Sequence, residues 1–159
     1  MKRVRTITAL IAILHLIGYM LLPPGAPGMF STAEAAGASG PKLMAISPAN
    51  NATGVSTNTN LTLTFDEPVR VGTGLAAVTI RRVSDNSVVE AFVTSTGNRI
   101  SISSNEVTIA PSVTLEANTS YYVIVDTGAF RNEAGIDYAG LSSARDWTFT
   151  TGSADTTPP

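Results

Sequence analysis

Cysteine is absent from this 159-residue chain, and its single histidine, His15, falls in the first two dozen residues. Everything beyond residue 35 therefore has neither side chain. That excludes stabilisation by disulfides, so a core must hold the fold together. It also excludes Ser-His-Asp and Cys-His nucleophilic centres and removes the His and Cys ligands that zinc prefers. Charged residues make up only 14% of the chain and the formal net charge is −2. The charges are scattered, with only Asp66-Glu67 and Arg81-Arg82 as adjacent like charges in the body of the chain. Without a basic stripe there is no electrostatic footprint for nucleic acid. Arg81-Arg82 reads as the exposed end of a strand. No glycine-rich loop ends in a lysine that could cradle phosphate, and Gly72-Thr73-Gly74 reads as a turn. Long helical periodicity is missing as well.

The first residues follow a different rule. Met1-Lys2-Arg3-Val4-Arg5 is basic, and an apolar run extends from Ile7 to Leu22, broken only by Thr8, His15 and Gly18. A Pro/Gly stretch and Ala33-Glu34-Ala35-Ala36 come next. A basic start, an apolar middle and a small-x-small site are the marks of a secretory signal peptide, expected over 1–35 with cleavage after Ala35. The rival reading is an uncleaved anchor, for which the run is shorter than the roughly 20 residues a spanning helix needs. No membrane contact is expected after cleavage, and with no Cys no lipid anchor is available. The expected location is secreted, at the bacterial cell surface. Residues 36–41 form a flexible lead-in, 42–151 the domain, and 152–159, ending in Pro158-Pro159, a linker. A linker of this kind is expected where one module joins others in a longer protein. Asn51, Asn60 and Asn118 begin Asn-x-Ser/Thr triplets, which act as glycan acceptors only in a eukaryotic secretory host.

The body of the chain alternates with period two. Leu61, Leu63 and Phe65 are separated by Thr62 and Thr64. Ile100 and Ile102 alternate with Ser, Val107 and Ile109 with Thr. Tyr121, Val123 and Val125 make another stripe, as do Trp147 and Phe149. With Leu43–Ser47, Ala76–Val83 and Val88–Thr94, about eight short strands are expected. Turn signals part them at Asn50-Asn51, Gly72-Thr73-Gly74, Asp85-Asn86, Gly97-Asn98, Ser104-Asn105 and Pro111. Close, regular spacing of this kind predicts an all-β sandwich or barrel of seven to eight antiparallel strands. Pro68, after Asp66-Glu67, cannot donate to a ladder and should end a strand. Leu115, Thr119 and Tyr121 have the spacing of a tyrosine corner, in which the Tyr hydroxyl bonds to upstream backbone and pins the crossover between sheets. Phe65, Tyr121, Trp147 and Phe149 are the expected core anchors.

Two longer stretches are similar to a known family. Ile46-Ser47-Pro48-Ala49-Asn50-Asn51-Ala52-Thr53-Gly54-Val55 leads into Asn60-Leu61-Thr62-Leu63-Thr64-Phe65-Asp66-Glu67-Pro68-Val69. Thr119–Val123, Gly128-Ala129-Phe130, Asn132-Glu133-Ala134-Gly135 and Trp147–Thr150 follow in order. The pattern resembles the bacterial Ig-like domain of S-layer proteins, of the SbsA-like type. At Asn132–Ile136 the chain departs from the Asp-x-Ala-Gly-Asn loop that members often carry. The resemblance implies an Ig-like sandwich in cell-envelope or adhesive proteins, used in tandem and without a catalytic site. The partners it implies are neighbouring Ig-like or envelope domains.

The chemistry left is carboxylate chemistry. Asp66, Glu67, Asp126, Glu133, Asp137 and Asp146 are candidates for a hydrolytic pair only as carboxylates, and no enzyme is expected. Asp126, Glu133 and Asp137 flank the loop containing Gly128 and Gly135, and their oxygens are of the kind Ca2+ takes, although the spacing matches no EF-hand. They are the candidate metal ligands, weighed against a reading as solvated turn residues. No other cofactor is expected. Two functions follow: a structural or adhesive module of a surface protein, or a binding module for cell-wall polysaccharide or a host ligand, stabilised by Ca2+.

Overall fold

A computed structural model describes residues 39–153, so the expected signal segment and most of the terminal linker lie outside the described residues. The eight strands expected from alternation are all present, and three shorter ones join them. In chain order they are β1 (Leu43–Ser47), β2 (Ala52–Val55), β3 (Leu61–Phe65), β4 (Val69–Val71), β5 (Ala77–Arg82), β6 (Val88–Val93), β7 (Ile100–Ser103), β8 (Glu106–Ile109), β9 (Ser120–Val125), β10 (Phe130–Asn132) and β11 (Thr148–Thr151). β2, β4 and β10 were not expected. Among the described residues there is no helix.

One sheet has the order β1-β3-β8-β7, a second β2-β11-β9-β5-β6, and β10 pairs with β4 in a small ribbon. The first sheet shows why alternation fixes its face. Its register aligns Ile46 with Leu63, Leu63 with Val107 and Val107 with Ile102, so one apolar row crosses all four strands. Thr62 and Thr108 form the neighbouring row on the other face. The second sheet supplies Val78, Ile80, Phe92, Tyr121, Val123, Val125 and Phe149, and together with Leu61, Leu63, Phe65, Val107 and Ile109 they form one buried cluster. Burial of side chains of this size gives about 1.5–3 kcal/mol each before ordering costs, enough to replace the missing disulfides. Pairing is antiparallel except at one place. β2 runs parallel to β11, with Ala52 opposite Phe149 and Val55 opposite Thr151. The sandwich is therefore mixed rather than purely antiparallel, because the chain crosses from one sheet to the other between β1 and β2.

The loops are tied by short polar bonds. β3 ends at Phe65 as Pro68 predicts, and Asp66 Oδ1 accepts the Lys42 amide at 2.8 Å. The β7–β8 turn, with Ser104 at φ 57, reaches across so that Asn105 Nδ2 donates to the Phe65 carbonyl at 2.8 Å. On the other lip Glu90 accepts the Ser112 amide at 2.9 Å and its hydroxyl at 2.6 Å, closing the open side beside β6. From Ser39 onward the expected lead-in lies on the domain: Pro41 is buried and the Ser39 carbonyl accepts from Asn132.

Candidate functional site

The segment between β9 and β11 is where the sequence places its candidate ligands, and it is ordered by backbone bonds first. Val125 and Leu141 exchange both amide–carbonyl bonds, at 2.8 and 3.0 Å. Gly140 makes that return, at φ 88, where a side chain would run into the Val125 carbonyl. The Tyr138 amide donates to Phe130 and the Gly128 amide to the Tyr138 carbonyl. These bonds bring Asp126, Glu133 and Asp137 onto one end of the sandwich without converging them.

Two of the three carboxylates are occupied separately, and the third is turned outward. Asp126 Oδ2 accepts the Ala77 amide at 2.9 Å and so caps the start of β5. Asp137 Oδ1 takes both Nε and a terminal nitrogen of Arg131, at 3.0 and 2.7 Å. Glu133 offers its backbone carbonyl to Arg70 at 3.1 Å, and its side chain faces solvent. Among the described residues no three His, Cys, Asp or Glu side chains come together as a metal group. Two arginines, Arg70 and Arg131, stand across from each other in the β4–β10 register and supply the positive charge a cation would have brought. Asp126 and Asp137 thus serve the fold, and among the described residues the geometry assembles no Ca2+ cage from the three.

A residue that sequence reasoning passed over organises this end. Asn132 is 4% exposed. Its side-chain oxygen accepts the Ile136 amide at 2.9 Å, while its nitrogen donates to Glu67 Oε1 at 3.1 Å and to the Ser39 carbonyl at 3.2 Å. It fills the first position of the loop at which the family pattern is Asp. An amide can donate toward Glu67 where a carboxylate would repel it. The signal was present in the departure itself.

The four anchors occupy the centre. Phe65, Tyr121, Trp147 and Phe149 are all buried. Tyr121 and Phe149 are cross-strand neighbours with ring centroids 5.8 Å apart. The Trp147 indole N–H donates to the Pro48 carbonyl at 2.8 Å, so it satisfies its one polar atom while filling the core. The tyrosine corner is present: the Glu116 amide donates to the Tyr121 hydroxyl at 2.9 Å, and Thr151 Oγ1 donates to the Glu116 carbonyl at 2.6 Å. Arg82, two residues beyond Ile80 on β5, pairs with the Glu116 carboxylate and with Asp85 at 3.5 Å. The Glu116 charge raises the Arg82 pKa further. Ser87, through its hydroxyl and amide, lowers that of Asp85. Arg81-Arg82 thus ends β5, but both are half-buried rather than exposed, because Arg82 is drawn into an ion pair.

Tyr138 packs edge-on against Phe65 at 5.1 Å, and burial with the nearby Asp146 charge pushes its phenol pKa up to about 12. Beside it lies an open depression of about 500 Å³ lined by Lys42, Leu43, Asp137, Tyr138 and Leu141, among others. Asp137 is the one carboxylate on its wall and is already paired with Arg131. No second carboxyl faces it across the depression, as a glycosidic mechanism would need.

Two facing β-sheets, a tyrosine corner between them and a tryptophan beneath the crossover define an immunoglobulin-like β-sandwich. The sequence model of the bacterial Ig-like domain matches residues 38–151. The chain belongs to that family. Among solved structures, "The crystal structure of CopC from Methylosinus trichosporium OB3b" is similar over 74% of this chain and 99% of that one, at 18% identity and a TM-score of 0.48. No curated protein matches the chain.

Proposed function

We propose that this chain is a non-catalytic structural module of a secreted bacterial surface protein, of the S-layer or adhesive kind. The observation that carries the reading is where its polar side chains go. Asp66, Glu67, Asp85, Glu90, Glu116, Asp126, Asp137 and Asp146 each accept a bond from within the domain, chiefly across a turn or between the sheets. A catalytic or ligand-binding module keeps some charged groups unpaired and aimed into a cleft. Here they brace the ends of a sandwich. Membership of the bacterial Ig-like family and the leader-like first 35 residues support an envelope location.

The test has two arms. In the producing cell, an antibody to residues 39–153 should find the protein in the envelope fraction and lose its signal when intact cells are treated with protease. Recovery in the cytoplasm would overturn the reading. In solution, millimolar Ca2+ should leave the melting temperature unchanged. A rise would favour the Ca2+-stabilised binding module, whose ligand would then be sought among cell-wall polysaccharides.

A further inference from the structure

The parallel pairing of β2 with β11 gives the sandwich a direction. β2 lies near the start of the domain and β11 at its end, and the two are neighbours at the edge of the five-stranded sheet. In a parallel pair the beginning of one strand and the end of the other lie at opposite ends of the ladder. Tension entering ahead of β2 and leaving after β11 therefore pulls along the strand axis and loads every connecting bond together. An antiparallel pair of terminal strands would place both attachment points at the same end, and its bonds would open one after another.

The bonds between these two segments are dense and reach beyond the ladder. The Asn51 amide donates to the Thr148 carbonyl at 2.7 Å, and the Gly152 amide to the Val55 carbonyl at 2.8 Å. Asn50 Oδ1 accepts the Thr148 amide at 2.8 Å, and Asn50 Nδ2 donates to the Arg145 carbonyl at 3.0 Å. Thr148 Oγ1 donates to Asn51 Oδ1 at 2.8 Å, and Trp147 Nε1 to the Pro48 carbonyl at 2.8 Å. On its inner side β11 is held by β9, and Thr151 is fastened to the tyrosine corner through Glu116 and Thr119. β11 is thus fixed to the body of the domain, and β2 is the strand that must slide.

We infer that the Pro48–Val55 and Arg145–Gly152 segments form a shear-loaded clamp that lets the module bear tension between its two ends. This rests on the reading of the chain as a structural module. β1 lies ahead of the clamp in the load path and is held to β3 alone. Detachment of β1 would pass the full load to β2 and β11.

The experiment is single-molecule pulling on the full chain. Because the chain has no cysteine, handles attach only where cysteines are introduced. Lys42→Cys with Ser153→Cys loads the pair in shear. Ser56→Cys with Ser153→Cys places both handles at one end and unzips it. The expected result is a rupture force well above the unzipping value in the shear geometry. Asn50→Ala, which removes the side-chain bonds to Thr148 and Arg145, should speed unfolding under shear by roughly tenfold. It should alter the unzipping force far less, since those bonds open last there. Equal forces in the two geometries would overturn the clamp and leave the structural reading intact. An equal effect of Asn50→Ala in both would reduce Asn50 to an ordinary stabilising residue and also overturn it. If Asn50→Ala does not fold, the two handle pairs alone decide. Failure of the structural reading shows separately, as cytoplasmic recovery or a Ca2+ response.

Discussion

Replacing Tyr121 by Phe removes one oxygen atom and leaves the ring in place, so no cavity opens and the effect isolates the corner. That oxygen accepts the Glu116 amide at 2.9 Å, five residues upstream, in a partly buried position. The next peptide along is also held, since Thr151 Oγ1 donates to the Glu116 carbonyl. Glu116 is thus held on both sides of its Cα, and its backbone cannot swing toward water without straining the second bond. A net hydrogen bond is worth about 1 kcal/mol, and a donor left buried and unpaired costs about 1–3 kcal/mol. The expected destabilisation is about 2 kcal/mol. For a domain of this length that lowers the melting midpoint by roughly 8 °C. With a urea slope near 2 kcal/mol/M it moves the urea midpoint by about 1 M without changing the slope. Tyr122→Phe is the control. Its hydroxyl donates at 3.2 Å to Asn86 Oδ1, a longer, partly buried bond whose acceptor sits in an exposed turn that water can reach, so the loss should stay below about 1 kcal/mol. Urea denaturation followed by tryptophan fluorescence suits both, because Trp147 is the sole reporter and is buried. Equal losses for the two variants would refute the argument, because they would show that the hydroxyl's place in the crossover does not matter.

Two further outcomes follow from packing and titration. Gly72→Ala would drive a methyl into the Gly128 carbonyl, beside the bond from the Gly72 amide to Ala129 at 2.8 Å. A loss of about 1–3 kcal/mol is expected by calorimetry, and a neutral result would mean the 128–129 loop yields freely. Alkali should unfold the domain partly through Tyr138. Its folded pKa of about 12 lies above the unfolded value near 10, so the neutral phenol stabilises the fold below pH 10. That contribution is lost as pH rises from about 10 to about 12. Tyr138→Phe should flatten this limb of the stability–pH curve, and an unchanged limb would assign it elsewhere.

The long strands were legible in the sequence because each carries enough residues to show which side is apolar. Leu61-Thr62-Leu63-Thr64-Phe65 can satisfy a half-buried surface in only one orientation, and Pro68 marks where its ladder must stop. The tyrosine corner was legible too, since its bond closes over five residues of chain. The candidate ligands were not. Asp126, Glu133 and Asp137 are close in sequence, but whether carboxylates converge depends on what stands opposite them. Here the Ala77 amide, from a strand far away in the chain, holds Asp126, Arg131 holds Asp137, and the Glu133 side chain faces solvent. The departure at Asn132 was visible, but its use was not, because its partners Glu67 and Ser39 are remote.

By itself the sequence determined the class of the fold, the strands that build its core, and the chemistries closed to a chain without cysteine or useful histidine. These follow from local periodicity and from composition, which no tertiary arrangement can alter. Tertiary structure alone decided the direction of β2 against β11 and the employment of the acidic side chains. Strand direction at a sheet edge is set by how the chain crosses between sheets, and the four residues of β2 carry no mark of it. The same crossing that made the sandwich mixed gives it a ladder that resists being pulled from its ends.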